Sequence, residues 1–188
     1  MTGRVFLGLA GRGILAGAAM AGANIPRSSP RLLNPVSADG SRDLTLSPHE
    51  RTTIAALQNH LLPSEPGIPG ARDIGALNYL ENALRGTGID PSDLPQLRKG
   101  VAALDNQSVQ RTGKIFYLLP AEKKERILRK FERTDFGNIF LAIVMGYTIE
   151  AYVGDPVYGG NPDGIVWTWL GHIPGSPRPP SIPSGVWR

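Results

Sequence analysis

An all-α fold is predicted for this 188-residue chain on three observations. Between about residues 47 and 153 apolar residues recur at helical spacing, capping and breaking residues punctuate that run at helix length, and no period-two stretch of strand length occurs. The pattern gives about six helices around a buried sixth, followed by an irregular C-terminal arm rich in Gly, Pro and Trp. Ser47-Pro48-His49-Glu50 opens the first helix with a cap hydroxyl, a proline at the first helical position and a glutamate three after the cap. Ile54, Leu57 and Leu61 share a face, and Pro63 ends it. After the loop from Ser64 to Gly70, the second helix runs from about Ala71 to Arg85 with Ile74, Leu77, Leu80 and Leu84 inward. Asp90-Pro91-Ser92-Asp93 opens the third, which carries Leu94, Leu97, Val101 and Leu104 on one stripe. A fourth is expected from about Val109 to Leu119. A fifth follows Pro120, with Ile127, Leu128 and Phe131 inward. The sixth, about Phe136 to Val153, is apolar nearly all round and is expected to be the central buried helix. With fewer than twenty residues and with Asn138 and Glu150 inside it, a core helix is favoured over a membrane span.

Four segments follow from composition. Residues 1–23 read as an export signal, with Arg4 in a short basic region, a small-residue apolar stretch, and Ala21-Gly22-Ala23 at a small-x-small cleavage site. The order Arg4-Val5-Phe6-Leu7 is similar to a twin-arginine pattern, imperfect because Gly3 stands where the first arginine belongs. Residues 24–46 form a Pro/Ser/Arg-rich linker, 47–153 the helical domain and 154–188 the arm. The net charge of +4 sits in the leader: Arg4, Arg12, Arg27 and Arg31 precede the first acid, and the rest of the chain balances. A neutral body lacks the electrostatic footprint of a nucleic-acid binder. Zero cysteines exclude disulfides, thiolate metal sites and a cysteine nucleophile.

Catalytic and metal patterns fail one by one. His49 and His60 lie about 16 Å apart along one helix and cannot share a metal, and His172 has no ligand partner at useful spacing. No Gly-x-Ser-x-Gly elbow occurs. Asp90/Asp93 and Glu122/Glu125 sit at helix N-termini, where they complement the helix dipole. The glycines of Gly154-Asp155-Pro156-Val157-Tyr158-Gly159-Gly160-Asn161 lack a following Lys-Ser or Lys-Thr, so they form turns rather than a phosphate loop. No catalytic, cofactor-binding or metal-binding residue is therefore assigned in this chain. The arm cannot build its own core, yet it carries Tyr158, Trp167 and Trp169, residue types that anchor interfaces. It either binds a partner or folds back over the sixth helix.

The run Asp155-Pro156-x-Tyr158-Gly159-Gly160-Asn161, followed by a tryptophan and Gly171-x-x-Pro174-Gly175, resembles the gluconate 2-dehydrogenase subunit 3 family. Supporting pieces are Gly146-Tyr147-Thr148-Ile149, Leu61-Leu62-Pro63, Pro69-Gly70-Ala71-Arg72 and the stretch from Leu97 to Asp105, so the likeness covers about residues 45 to 178. The chain departs from the pattern at Val166, where glycine is common before the tryptophan, and at His172, where an aromatic is usual. The resemblance implies a non-catalytic small subunit of a periplasmic FAD-dependent sugar or polyol dehydrogenase. Such a chain binds a large flavoprotein of the glucose–methanol–choline type and assists its maturation and export. It implies FAD in that partner and, in many complexes, haem c in a third, multihaem cytochrome subunit, with membrane association only through the complex. It also implies a partner-binding set of Asp155, Pro156, Tyr158, Gly159, Gly160, Asn161, Trp167, Trp169 and Gly171.

Overall fold

The computed structural model describes residues 44–86 and 90–177. The export segment with Arg4, Phe6 and Leu7, the linker through residue 43 and the tail from residue 178, which includes Trp187, lie outside the described residues. Among the described residues six α-helices form in order: α1 Pro48–Leu61, α2 Ala76–Arg85, α3 Asp93–Thr112, α4 Ala121–Phe131, α5 Asp135–Val153 and α6 Ile165–Leu170. Short 3₁₀ turns occur at Phe116–Leu118, Pro156–Tyr158 and Pro162–Gly164. Among the described residues the only β-type pairing is an isolated bridge between Glu65 and Ile68.

Local chemistry sets the helix ends. At α1 the Ser47 hydroxyl accepts the Glu50 N–H, and the Glu50 carboxylate accepts the Ser47 N–H at 2.7 Å, so the predicted capping box is present. At α5 the Thr134 hydroxyl accepts the Gly137 N–H at 3.0 Å. Helix α5 then packs chiefly on α2 and α3 and also on α1. Its Phe140, Val144, Tyr147 and Ala151 meet Leu80, Leu84, Leu97, Leu104, Ile54 and Leu57 in one core. Each such side chain contributes about 1.5–3 kcal/mol by leaving water. A buried polar link crosses this core, where Gln58 Nε2 of α1 donates to Thr148 Oγ1 of α5 at 3.2 Å, and that hydroxyl in turn donates to the Val144 carbonyl.

Several expectations are corrected. The separate fourth helix does not form, because α3 continues to Thr112. Ser108 and Thr112 return their hydroxyls to the carbonyls four residues back, Leu104 and Ser108, and so ride inside the helix. Gly113 then ends it, and Phe116 plugs the core from a 3₁₀ turn, its N–H held by Asp105 Oδ1 at 2.8 Å. The second helix starts at Ala76 rather than Ala71. The residues before it form turns whose polar groups are used elsewhere: Ala71 N–H bonds the Leu62 carbonyl, and Asp73 accepts from Gly70. The end of the linker is not free of the body, since Leu46 is buried and Arg98 donates to the Thr45 carbonyl. The arm is not irregular throughout, because Gly164 and Gly171, both at positive φ, bracket α6 as its N-cap and C-cap. Finally, the sixth predicted helix, α5, is buried along one side only.

Helices α3 and α5 meet tightly at a glycine. A Cβ on Gly100 would lie 1.9 Å from Cδ2 of Phe140, a ring that is itself buried. Gly100→Ala should therefore lose roughly 1–3 kcal/mol by overpacking, despite the gain in helix propensity of about 1 kcal/mol. Gly146, on the open side of α5, has nothing within 4 Å of the place a Cβ would take. Gly146→Ala should stabilise by up to about 1 kcal/mol. Urea denaturation of the two variants checks the opposite signs.

Candidate partner-binding face

The segment after α5 is organised around Asn161. This residue is fully buried and adopts the left-handed conformation, with φ of 47°. Its N–H donates to the Ile74 carbonyl at 2.9 Å, ahead of α2. Its Nδ2 donates to the Gly154 carbonyl at 3.1 Å, at the end of α5, and its Oδ1 accepts the Val166 N–H at 2.8 Å, in α6. One side chain and one amide thus tie three parts of the chain together, and Val166 enters the core beside them. The approach is equally specific. Asp155 Oδ1 accepts the Val157 N–H and starts the first 3₁₀ turn of the segment. Asn78 Nδ2 of α2 donates to the Gly159 carbonyl at 2.9 Å. Gly160 lies so close to Ala151 of α5 that a Cβ there would be 2.7 Å from the Ala151 carbonyl oxygen.

The nine arm residues singled out from the sequence therefore divide by position. Gly160 and Asn161 are buried, while Asp155, Pro156, Tyr158 and Gly159 are half-buried against α2 and α5. Trp167 is also half-buried: its Nε1 donates to the Val153 carbonyl at 3.0 Å, and its ring meets His172 edge-on. Trp169 and Gly171 face outward. Trp169 remains 44% exposed, in an edge-on contact with Tyr152 of α5.

Sequence reasoning missed the surface that Trp169 adjoins. Ile139, Ala142, Gly146, Ile149 and Val153 are all exposed, and their spacing of three and four residues aligns them in one stripe about 21 Å long on the outer side of α5. The three large residues are 52%, 53% and 54% exposed. At the C-terminal end the stripe reaches α6, where Leu170 and Ile165 are exposed too. A helix uniformly apolar in sequence carries more apolar surface than its neighbours cover, and that excess was the usable signal. Helix α5 is long and apolar enough to cross a membrane by length and composition. Its inner side, however, holds core residues of the bundle.

Several titratable groups elsewhere are paired within the fold. His49 Nε2 lies 2.6 Å from Asp105 Oδ2, beside a small concavity that also includes Ser47, Glu50 and Arg98. This is the nearest approach to a nucleophile–base grouping, but Ser47 Oγ serves as the α1 cap, and no hydrogen bond joins it to His49. His60 Nε2 is 3.0 Å from Glu125. Arg51 pairs with the buried Glu81. Burial pushes the Tyr79 hydroxyl up to about 12, reinforced by Glu150, to which it donates. Burial, with Asp93 as acceptor at 2.6 Å, raises Tyr147 further. Both phenols are therefore neutral donors at ordinary pH rather than bases. Among the described residues no group of three His, Cys, Asp or Glu is placed to hold a metal.

A family model for gluconate 2-dehydrogenase subunit 3 matches residues 48–175, from the first residue of α1 to the turn beyond α6. The chain belongs to the gluconate 2-dehydrogenase subunit 3 family. The match spans well over half the chain and includes the whole Asn161 segment, so this segment is part of the unit that defines the family rather than an appendage. No match was found among curated proteins or solved structures. As a member of a subunit family, the chain is of the kind that works within a dehydrogenase complex.

Asn161→Ala should destabilise the isolated protein by about 3–5 kcal/mol, because it strands the Val166 N–H and the Gly154 carbonyl and puts alanine in a left-handed conformation. Asn161→Gly should lose roughly 1–2 kcal/mol less, since glycine enters that conformation freely. Chemical denaturation read by far-UV circular dichroism separates the two; equal losses would mean that the backbone conformation contributes nothing.

Proposed function

We propose that this chain is the non-catalytic small subunit of an exported FAD-dependent sugar or polyol dehydrogenase, docking on a large flavoprotein of the glucose–methanol–choline type. The observation that carries this reading is the continuous apolar stripe on α5, extended by Trp169 and Leu170. Contiguous apolar surface of this kind marks a protein or membrane interaction site, and membership of a subunit family favours a protein partner. The folded-back segment gives that surface a rigid edge: Asn161 holds α6 against the end of α5, which presents Trp169 without the entropy of ordering a loose arm on binding. In this reading Asp155, Pro156, Tyr158, Gly159, Gly160 and Asn161 position the face, and Trp169 with the α5 stripe touches the partner. Flavin and hydride chemistry then belong to the large subunit, and haem c to a third subunit where one is present. Assistance in maturation follows from covering an apolar face of the flavoprotein before export.

Co-expression with a neighbouring flavoprotein reading frame, purification through a tag after Arg188 and a flavin spectrum test the proposal. The flavoprotein should co-purify with its flavin, and the chain alone should bind none. Trp169→Ala should weaken assembly by roughly 2 kcal/mol or more, while Ile149→Glu should abolish it. Both free variants should keep the melting temperature of the parent to within a few degrees. Stoichiometric flavin in the isolated chain, or full assembly of Ile149→Glu, would overturn the reading.

The periplasmic location rests on the leader. Arg4→Gln should leave this chain and the flavoprotein in the cytoplasm, as fractionation and dehydrogenase assays would report. Undiminished periplasmic activity would instead mean that the flavoprotein is exported by another route.

A further inference from the structure

Away from the apolar face, the last turns of α3 and the exposed side of α4 enclose a cleft of about 870 Å³. Its walls carry Arg111, Lys123, Arg126, Arg129, Lys130 and Arg133, and no carboxylate lines it. Lys123, Arg126, Lys130 and Arg133 follow one another at three- and four-residue spacing, a single cationic stripe along α4 and its C-terminal end that faces Arg111 across the gap. Arg129 is neutralised by Glu125 at 2.8 Å. The other five form no ion pair with any described residue. Even Glu122 and Arg126, four residues apart on the same helix, do not pair.

Helix stabilisation does not account for this arrangement. Lys130 and Arg133 suit the C-terminal end of α4, but Lys123 lies in its first turn, where a cation opposes the helix dipole. Like charges at three- and four-residue spacing also repel by a few tenths of a kcal/mol per pair. Of the α4 acids, Glu125 is held by His60 and Arg129, while Glu122 is exposed in the first turn, where it complements the helix dipole. Five cations thus gather along the groove without a partner from the described fold, which leaves them available to an external anion.

We infer that this cleft binds an extended, carboxylate-rich peptide segment of a partner protein. The size of the site favours this ligand. From Lys123 to Arg133 the stripe is about 15 Å long, the reach of four or five residues of extended chain, and well beyond one phosphate. The exposed apolar stripe that could insert into lipid lies on another helix, α5. The inference is independent of the flavoprotein reading, since it rests on the charges of α3 and α4 alone.

The test is fluorescence anisotropy of labelled hexaglutamate titrated with the full chain, alongside inorganic phosphate competition and sedimentation with phosphatidylglycerol–phosphatidylcholine vesicles. Hexaglutamate should bind, with affinity falling as salt screens the pairs. Arg126→Glu with Lys130→Glu should weaken it at least about tenfold, while Arg72→Glu with Lys99→Glu, the same charge change outside the cleft, should stay within about twofold. Circular dichroism should show both double variants folded. Equal losses in the two variants would reduce the effect to net charge and overturn the inference. So would displacement by phosphate at concentrations comparable to the peptide, vesicle binding without peptide binding, or no binding of hexaglutamate by the parent chain.

Discussion

The contact on which the bundle depends is the crossing of α3 over α5 at Gly100, where the absence of a side chain lets the Phe140 ring lie against the α3 backbone. Two long helices held this close leave room on their flanks for α1 and α2 but not for a complete ring of neighbours around α5. The central helix is consequently enclosed on one side, by Leu80, Leu97, Leu104 and their partners, and bare on the other. Core and proposed docking face are two sides of the same helix. The residues that stabilise the subunit cannot be separated by element from those offered to a partner, only by their position around the α5 axis.

The segment from Gly154 to Gly171 solves a different problem. The glycines and prolines of this stretch prevent a long regular element, so it is held by directed hydrogen bonds that converge on one buried amide side chain. Val166 is its deepest apolar anchor, and α6 is short because it needs only to carry Val166 inward and Trp169 outward. Chain closure and the proposed partner contact, which compete as explanations of the arm when only composition is considered, fall to Val166 and Trp169 of one six-residue helix.

Features encoded by near neighbours in sequence were legible: the Ser47–Glu50 capping box, the inward stripes of α1 to α4, and the Asp155 turn. Features that depend on distant partners were not. Nothing near Ser108 shows that its hydroxyl will turn back to Leu104 and let α3 run on through Thr112. Nothing near Asn161 shows that the Ile74 carbonyl, on the far side of the chain, will be its acceptor. The periodicity of α5 is plain, but periodicity identifies a face without saying what covers it, so surplus apolar surface reads as burial. The cationic cleft is hidden for a related reason: a body with balanced charge gives no hint that six cations will gather about one groove between α3 and α4.

The bond between Asn161 and the Ile74 carbonyl also bears on when the subunit can finish folding. The helices α1 to α5 make most of their contacts with one another and can assemble as each emerges during synthesis, but α6 finds its place only after Asn161 has been made. Closing so long a loop is slow compared with forming local helix, so this step comes late. A chain truncated before Asn161 leaves the Gly154 and Ile74 carbonyls without their partner and the end of α5 uncovered. Asn161 therefore joins the start of α2, the end of α5 and α6 only once the residues up to Val166 have been made.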